Sequence, residues 1–137
     1  MNTPESNAPS SAPSSAPSSV PSSVPSSVPT WIPQNLFDAL PEDSGQEVFE
    51  TLLATDKVRI ERITSCGQVT PEGAWYDQPE NEWVMVLRGG ARLQGADGTE
   101  HTLFPGDSLY LPAHFRHRVT WTDPEKKTVW LAFHFQA

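Results

Sequence analysis

From position 57 onward, short apolar runs alternate with polar turns. The runs are rich in β-branched and aromatic residues and are separated by Gly, Pro and Asp, a pattern typical of strands. It predicts strands near 58–64, 75–78, 82–87, 91–94, 99–103, 108–111, 117–122 and 128–135. Some of these strands, such as 82–87, are apolar on both faces, which indicates that both faces are covered. Many short antiparallel strands without a long helix predict an all-β fold, a sandwich or barrel of the jelly-roll kind.

The stretch before these strands has a different spacing. Four apolar residues fall on one stripe of a helix: Val48, Phe49, Leu52 and Leu53. Ser44, followed three residues later by Glu47, has the form of a capping box. We therefore predict a short helix over 45–54, in a helical or extended segment 31–56 that packs on the barrel.

The first thirty residues contain 11 Ser and seven of the 14 Pro, but no aromatic residue, Lys or Arg. A proline recurs at every fourth position from Pro9 to Pro29. Such a segment has too little apolar surface to offset the entropy lost on ordering. The sequence thus predicts a disordered Ser/Pro-rich tail over 1–30, then the segment 31–56, and a β-barrel over 57–137.

The charge balance excludes several classes of function. Nine Lys and Arg stand against 17 Asp and Glu, giving a net charge of −8. A protein that binds nucleic acid or an anionic membrane surface through phosphate contacts needs the opposite balance. No apolar run is long enough for a membrane span, and no secretory signal is recognisable, so we expect a cytoplasmic protein. A single cysteine, Cys66, rules out an internal disulfide framework.

Candidate chemistry clusters in two places, at 75–82 and at 106–117. Alternation along a strand puts Glu82 on the face of Val84 and Val86, and it puts His117 on the face of Val119 and Trp121. If these faces line a barrel, a carboxylate there is costly unless it meets a cation, a metal or hydrogen-bond donors. The pattern therefore indicates a site around Glu82 and His117.

These residues also carry a family resemblance. Glu82 with Gly89 has the spacing of the second half of one cupin motif, and Gly106, Pro112 and His117 have the spacing of the other. Over about 55–135 the chain resembles a small, single-domain cupin whose first motif is degraded. The resemblance implies a conical jelly-roll barrel with a divalent metal in its mouth.

The family's metal ligands are three His and one Glu, and two of these positions match here, Glu82 and His117. In place of the family's His-x-His pair, one alignment puts Tyr76 and Gln78, and the other puts Trp75 and Asp77. The resemblance thus implies a mixed site of Gln78, Glu82 and His117 for Zn, Mn or Fe. It also implies pocket-lining roles for Tyr76, Asp77, His114, Trp121 and His134.

Structural roles remain open for the same residues. His117 and His134 are equally consistent with packed core histidines, and His114 with a turn residue on the rim. Glu82 is equally consistent with an ion pair to one of three arginines: Arg88, Arg116 or Arg118.

Three functions fit the sequence. The first is a metal-dependent enzyme of the dioxygenase, isomerase or lyase kind, acting on a small oxygen-bearing substrate. The second is a binding or sensing module for a small molecule, and the third is a structural domain without a ligand. We expect a small-molecule partner, no nucleic acid and no membrane, and a homodimer is consistent with the exposed strands.

Overall fold

The computed structural model describes residues 31–137, which form eight strands and no helix. The strands are β1 (Val48–Ala54), β2 (Val58–Ser65), β3 (Asn81–Arg88), β4 (Ala91–Gly95), β5 (Glu100–Leu103), β6 (Ser108–Leu111), β7 (His117–Thr122) and β8 (Thr128–Phe135). The all-β prediction is confirmed, whereas the disorder predicted for 1–30 lies outside the described residues. Across 31–137 there is no helix long and apolar enough to cross a membrane.

The strands form two antiparallel sheets that pack face to face. The larger sheet has the order β1-β2-β8-β3-β6, and the smaller has the order β5-β4-β7. The chain crosses between the sheets four times, the first time from β3 to β4 at the tight Gly89–Gly90 turn. This arrangement agrees with the predicted jelly roll.

The core lies between the two sheets and follows the predicted alternation. Val84 and Val86 of β3 are almost fully buried, while Met85 between them is only partly buried. On β8 the first three residues, Thr128, Val129 and Trp130, are all buried, and from Trp130 onward burial alternates through Ala132 and His134. The inward faces are completed by apolar residues from both sheets: Ile63, Leu93, Leu103, Leu111 and Val119.

The helix predicted over 45–54 is wrong, because Val48–Ala54 forms strand β1, which pairs antiparallel with β2. A bulge between Thr51 and Leu53 shifts the register, so the apolar positions lose the period of two that marks a strand. Glu47, which was predicted to belong to a capping box, does not cap a helix. Its carboxylate instead accepts a hydrogen bond from Ser65 Oγ at 2.5 Å. Pairing with a neighbouring strand overrides the local helical spacing.

The segment before β1 is held by one buried arginine of β2. The Arg62 guanidinium donates to three backbone carbonyls at 2.8–3.3 Å, those of Leu36, Asp38 and Ala39. It also pairs with Glu50 at 2.8 Å. Arg62 therefore anchors residues 36–39 and strand β1 to β2.

Strand β1 lies at the edge of its sheet and, among the described residues, pairs only with β2. It leaves Phe49, Leu52 and Leu53 between 38% and 56% exposed. An exposed apolar edge strand is a ready surface for pairing with another chain. We therefore expect a homodimer joined through β1, with a light-scattering mass of about twice the 15.1 kDa of one chain.

Leu53→Asp places a charge at that interface and is expected to give the monomer. Val69→Asp is the matched control, because Val69 is similarly exposed but lies outside β1. A mass near 15 kDa for the parent protein, or equal dissociation by both variants, would contradict the dimer.

Candidate functional site

Three buried ionisable residues of the interior lie at one end of the barrel. Glu82 lies near the start of β3, His117 begins β7, and His134 lies near the end of β8. Because β3 and β8 are antiparallel, Glu82 and His134 are direct neighbours across the two strands. All three are at least 90% buried. Glu82 and His117 thus lie in the barrel interior, as their alternation predicted, and His134 lies beside Glu82.

Residues 75–78 do not form the predicted regular strand. Only Tyr76 forms a bridge, exchanging backbone hydrogen bonds of 2.7 and 3.1 Å with His117. The carbonyl of Gln78 then accepts a 2.7 Å hydrogen bond from the backbone N–H of His114. This short contact brings the loop over the barrel end and places its side chains beside those of β7.

Glu82, His117 and Gln78 form one connected group. Gln78 Nε2 donates a 2.8 Å hydrogen bond to Glu82 Oε1. The same carboxylate oxygen lies 3.9 Å from His117 Nε2. The carboxylate and the imidazole therefore face one another inside the barrel with a short gap between them.

The ion pair considered for Glu82 does not form. Among residues 31–137, no Lys or Arg lies within salt-bridge distance of its carboxylate. The three arginines lie over aromatic rings instead, Arg88 over Phe37, and Arg116 and Arg118 over Trp75. Glu82 is thus a buried carboxylate whose neighbours are an amide and an imidazole.

The orientation of His117 is fixed by its other nitrogen. Nδ1 lies 2.9 Å from the carbonyl oxygen of Phe115, which accepts only, so Nδ1 carries the proton. In the neutral ring, Nε2 then presents its lone pair toward Glu82. The ring also stacks on Tyr76, with centroids 5.4 Å apart, which holds its plane. A second partner of this kind is what orients metal-binding and proton-accepting histidines.

Tyr76 remains a phenol in this setting. Burial raises its pKa, and the negative charges of Glu47 and Glu82 raise the pKa further. Burial also raises the pKa of Glu47, against the hydrogen bond from Ser65. The phenol is therefore available as a hydrogen-bond donor and does not serve as a base.

A second carboxylate–imidazole pair lies beside the first. His134 Nε2 is 3.2 Å from Glu61 Oε1. Glu61 also accepts from Arg59 at 3.0 Å, and Arg59 makes a two-point contact with Glu80 at 3.1 and 3.2 Å. Burial by itself would raise the pKa of Glu61 and lower the pKa of His134. The hydrogen bond between the two side chains and the neighbouring charges outweigh burial, so the net result is the reverse: the pKa of Glu61 is lowered and the pKa of His134 is raised.

Asp77 and His114 lie on the rim. Their side chains meet at 2.8 Å between Oδ1 and Nδ1 and are 46% and 67% exposed. His114 has a positive φ of 61°, a conformation that favours glycine. Its backbone and side-chain contacts together tie the loop over 75–78 to the turn before β7.

Trp121 does not join the other candidates. The pairing of β7 with β4 shifts by one residue after Val119, so that Trp121 lies opposite Arg92. Beyond this bulge the buried position is Thr122, and the indole is only half-buried, 5.8 Å from the Arg92 guanidinium. The expectation that Trp121 shares the face of His117 is wrong, because the bulge interrupts the alternation.

The residues fit a divalent ion only as a mixed site. Glu82 and His117 offer two donors 3.9 Å apart, close to the separation of two ligands on one ion. Gln78 turns its amide nitrogen toward Glu82, and only the amide oxygen could bind a metal. Within 31–137 no group of three or more His, Cys, Asp or Glu is arranged to hold an ion. A third donor therefore requires rotation of the Gln78 amide.

The sequence reasoning missed Arg59 and the carboxylates Glu47, Glu61 and Glu80. For β2 a signal existed, since Arg59, Glu61 and the core residue Ile63 alternate on one face. For Glu47 no local signal existed, because its interior position depends on the pairing of β1.

Comparisons with known proteins agree on the fold. The family model described as Cupin domain matches residues 67–134. A solved protein from Ralstonia eutropha JMP134, named as a candidate mannose-6-phosphate isomerase, is 47% identical, with a TM-score of 0.74. The match covers 77% of this chain and 99% of that chain. No curated protein sequence matches the chain.

More distant structures share the fold alone. A cupin superfamily protein from Desulfitobacterium hafniense DCB-2 is 20% identical with a TM-score of 0.66, covering 80% of this chain and 95% of its own. An RmlC-like cupin from Methanocaldococcus jannaschii, with a double-stranded β-helix fold, is 18% identical with a TM-score of 0.56, covering 71% and 86%. Sequence, fold and family match agree, and the chain belongs to the cupin superfamily.

Proposed function

We propose that this cupin binds a small oxygen-bearing molecule at the polar end of its barrel and acts on it there. We further propose that Gln78, Glu82 and His117 hold a divalent ion, Zn, Mn or Fe, at this place. One observation carries the proposal: the buried Glu82 carboxylate faces the His117 imidazole and has no Lys or Arg partner among residues 31–137. An uncompensated buried carboxylate is costly, so a bound cation would relieve that cost.

The chain's own residues have separable tasks in such a reaction. The ion would polarise a substrate oxygen or a bound water. The Phe115 carbonyl keeps Nε2 of His117 turned toward Glu82. The half-buried Tyr76 phenol stays protonated and can donate to a substrate oxygen. Glu82 can accept or return a proton when it is not engaged by the ion.

Metal titration tests the proposal. We expect chelator-treated parent protein to bind one equivalent of Zn, Mn or Fe. Glu82→Ala and His117→Ala should each weaken binding by at least about tenfold, because each removes one of two strong donors. Gln78→Ala should weaken it less, since an amide oxygen is a poorer ligand.

Glu100→Ala/His101→Ala is the matched control, because it removes the same two side-chain types from exposed positions on β5. It should bind metal as the parent does. A parent that binds none of the three metals, or that binds them equally with Glu82→Ala, would overturn the metal proposal.

A non-catalytic binding module is the alternative, and a specific contact favours it. The Gln78 amide already satisfies one oxygen of Glu82, so the carboxylate has a partner without metal. In that case a ligand in the barrel raises the melting temperature whether or not metal is present. Turnover of the ligand would contradict the binding module and support an enzyme.

The name of the Ralstonia relative suggests one reaction class for the proposal, the aldose–ketose isomerisation of a sugar phosphate. Such a reaction moves a proton between neighbouring carbons and needs a base and an acid in one pocket. The two carboxylate–imidazole pairs, Glu82 with His117 and Glu61 with His134, supply groups of the required kind. We therefore propose a sugar-like molecule as the substrate class.

A further inference from the structure

The polar end of the barrel is rich in carboxylates. Glu61, Glu80 and Glu82 all lie in or beside it, and all belong to the described chain. Arg59 is the cation in contact with this group, and both Glu61 and Glu80 already engage it. A ligand entering here meets groups that accept hydrogen bonds and carry negative charge.

One buried nitrogen in this region lacks a partner. His134 is 4% exposed, and no hydrogen-bond partner for its Nδ1 exists among the described residues. Its other nitrogen, Nε2, is held by Glu61 at 3.2 Å, which fixes the ring. Nδ1 lies 3.8 Å from Glu80 Oε1, too far for a direct hydrogen bond. An unsatisfied polar atom at such depth calls for an explanation.

We propose that His134 Nδ1 and Glu80 form a binding subsite for a hydroxyl group, and that the barrel selects neutral polyhydroxy compounds over their phosphorylated forms. The inference rests on the proposed function in that it names the class of ligand for the same barrel end. The two residues of the subsite, His134 and Glu80, are not among the proposed metal ligands.

A hydroxyl group suits the gap because it both donates and accepts. Placed between the two groups, it donates to the Glu80 carboxylate and accepts from the Nδ1–H of a His134 ring that also donates its Nε2–H to Glu61 and is therefore protonated on both nitrogens. The side chains beside the gap, Arg59 and Glu80, are 37% and 35% exposed. Because Nδ1 itself has no contact with solvent, a hydroxyl reaches it when these two side chains move outward.

A neighbouring hydroxyl of the same ligand has a partner as well. Glu82 is the direct cross-strand neighbour of His134, so the two side chains project side by side. Adjacent oxygens of a polyol can then contact the His134 subsite and the Glu82 carboxylate together. A phosphate group fits neither position, because it accepts hydrogen bonds and would be repelled by the carboxylates.

Calorimetric titration with matched probes tests the inference. The neutral probes are mannose, mannitol and erythritol, and the charged probe is mannose-6-phosphate, all tested on the full chain. We expect at least one neutral probe to bind, and mannose-6-phosphate to bind at least tenfold more weakly than mannose. Tighter binding of the phosphate ester, or no binding of any neutral probe, would overturn the proposal.

Two variants locate the subsite. Glu80→Gln keeps the shape of the side chain but removes its charge, and it should weaken the best neutral probe about tenfold while reducing the discrimination against phosphate. His134→Asn should have a similar effect on the neutral probe, whereas Glu100→Gln on exposed β5 should have none. Unchanged binding in a folded Glu80→Gln protein would contradict the subsite.

The outcomes for the two proposals can be told apart. Metal binding should be unaffected by Glu80→Gln, because Glu80 is not among the proposed ligands. Polyol binding without metal binding would contradict the metal proposal and support the hydroxyl subsite. Metal binding that depends on Glu82, with no binding of any neutral probe, would support the metal proposal and contradict the subsite.

Discussion

Gly89→Ala is expected to lower the free energy of unfolding by about 2–5 kcal/mol, a large part of the roughly 5–15 kcal/mol that stabilises a domain of this size. Gly89 has a φ of +86°, where a side chain is strained. An added Cβ would also lie 2.8 Å from the backbone Cα of Thr128. Strain and collision therefore act together at this turn between the two sheets.

Thr128 cannot move aside to relieve that collision. It is fully buried, and its hydroxyl exchanges hydrogen bonds with the backbone of Gly90 at 3.1 and 3.2 Å. Moving Thr128 would break both contacts and displace the start of β8. This close approach of backbone to backbone is the physical reason for a glycine at position 89.

Gly98→Ala is the matched control for this experiment. Gly98 has a φ of +92°, but an added Cβ would meet nothing within 4 Å. We expect a loss of only about 1–2 kcal/mol from strain alone. Urea denaturation of both variants measures the difference, and equal losses would show that the Thr128 contact has no energetic consequence.

Arg62→Ala is the second change with a large expected effect, a loss of about 2–4 kcal/mol in the free energy of unfolding. The guanidinium is 9% exposed, and its loss leaves three carbonyls and the Glu50 carboxylate without their donor. The loss stays below that of a fully buried pair because Glu50 is partly exposed and water can replace part of the contact. Arg62→Lys should recover little, since an ammonium lacks the planar fork.

Proteolysis shows where this loss acts. Arg62→Ala should expose the 31–47 segment, so chymotrypsin should cut after Phe37 much faster than in the parent. Residues 1–30 contain no aromatic residue or Leu, and Trp31 is 94% exposed in the parent as well, so the cut after Phe37 is the one that reports on the anchored residues. Arg92→Ala is the control, because Arg92 contacts only Thr102 and Trp121 on the protein surface. Slow cutting in Arg62→Ala would contradict the anchoring role.

The site was partly predictable because alternation works wherever a strand is regular. Glu82, Val84 and Val86 follow the period of two without interruption, and so do Trp130, Ala132 and His134. The cupin-like spacing of Glu82 and His117 then pointed to one place. Glu61 escaped notice although it alternates with Ile63, because its role depends on His134 of the neighbouring strand.

The sequence by itself determined the all-β class, the location of most strands and the inward direction of Glu82 and His117. These follow from the alternation of side chains, a property of each strand alone. Tertiary structure decided the rest: β1 as a strand, Trp121 outside the cluster, and the carboxylates gathered around His134. Bulges and cross-strand partners set these features, and both depend on contacts between residues far apart in the chain, which no local pattern encodes.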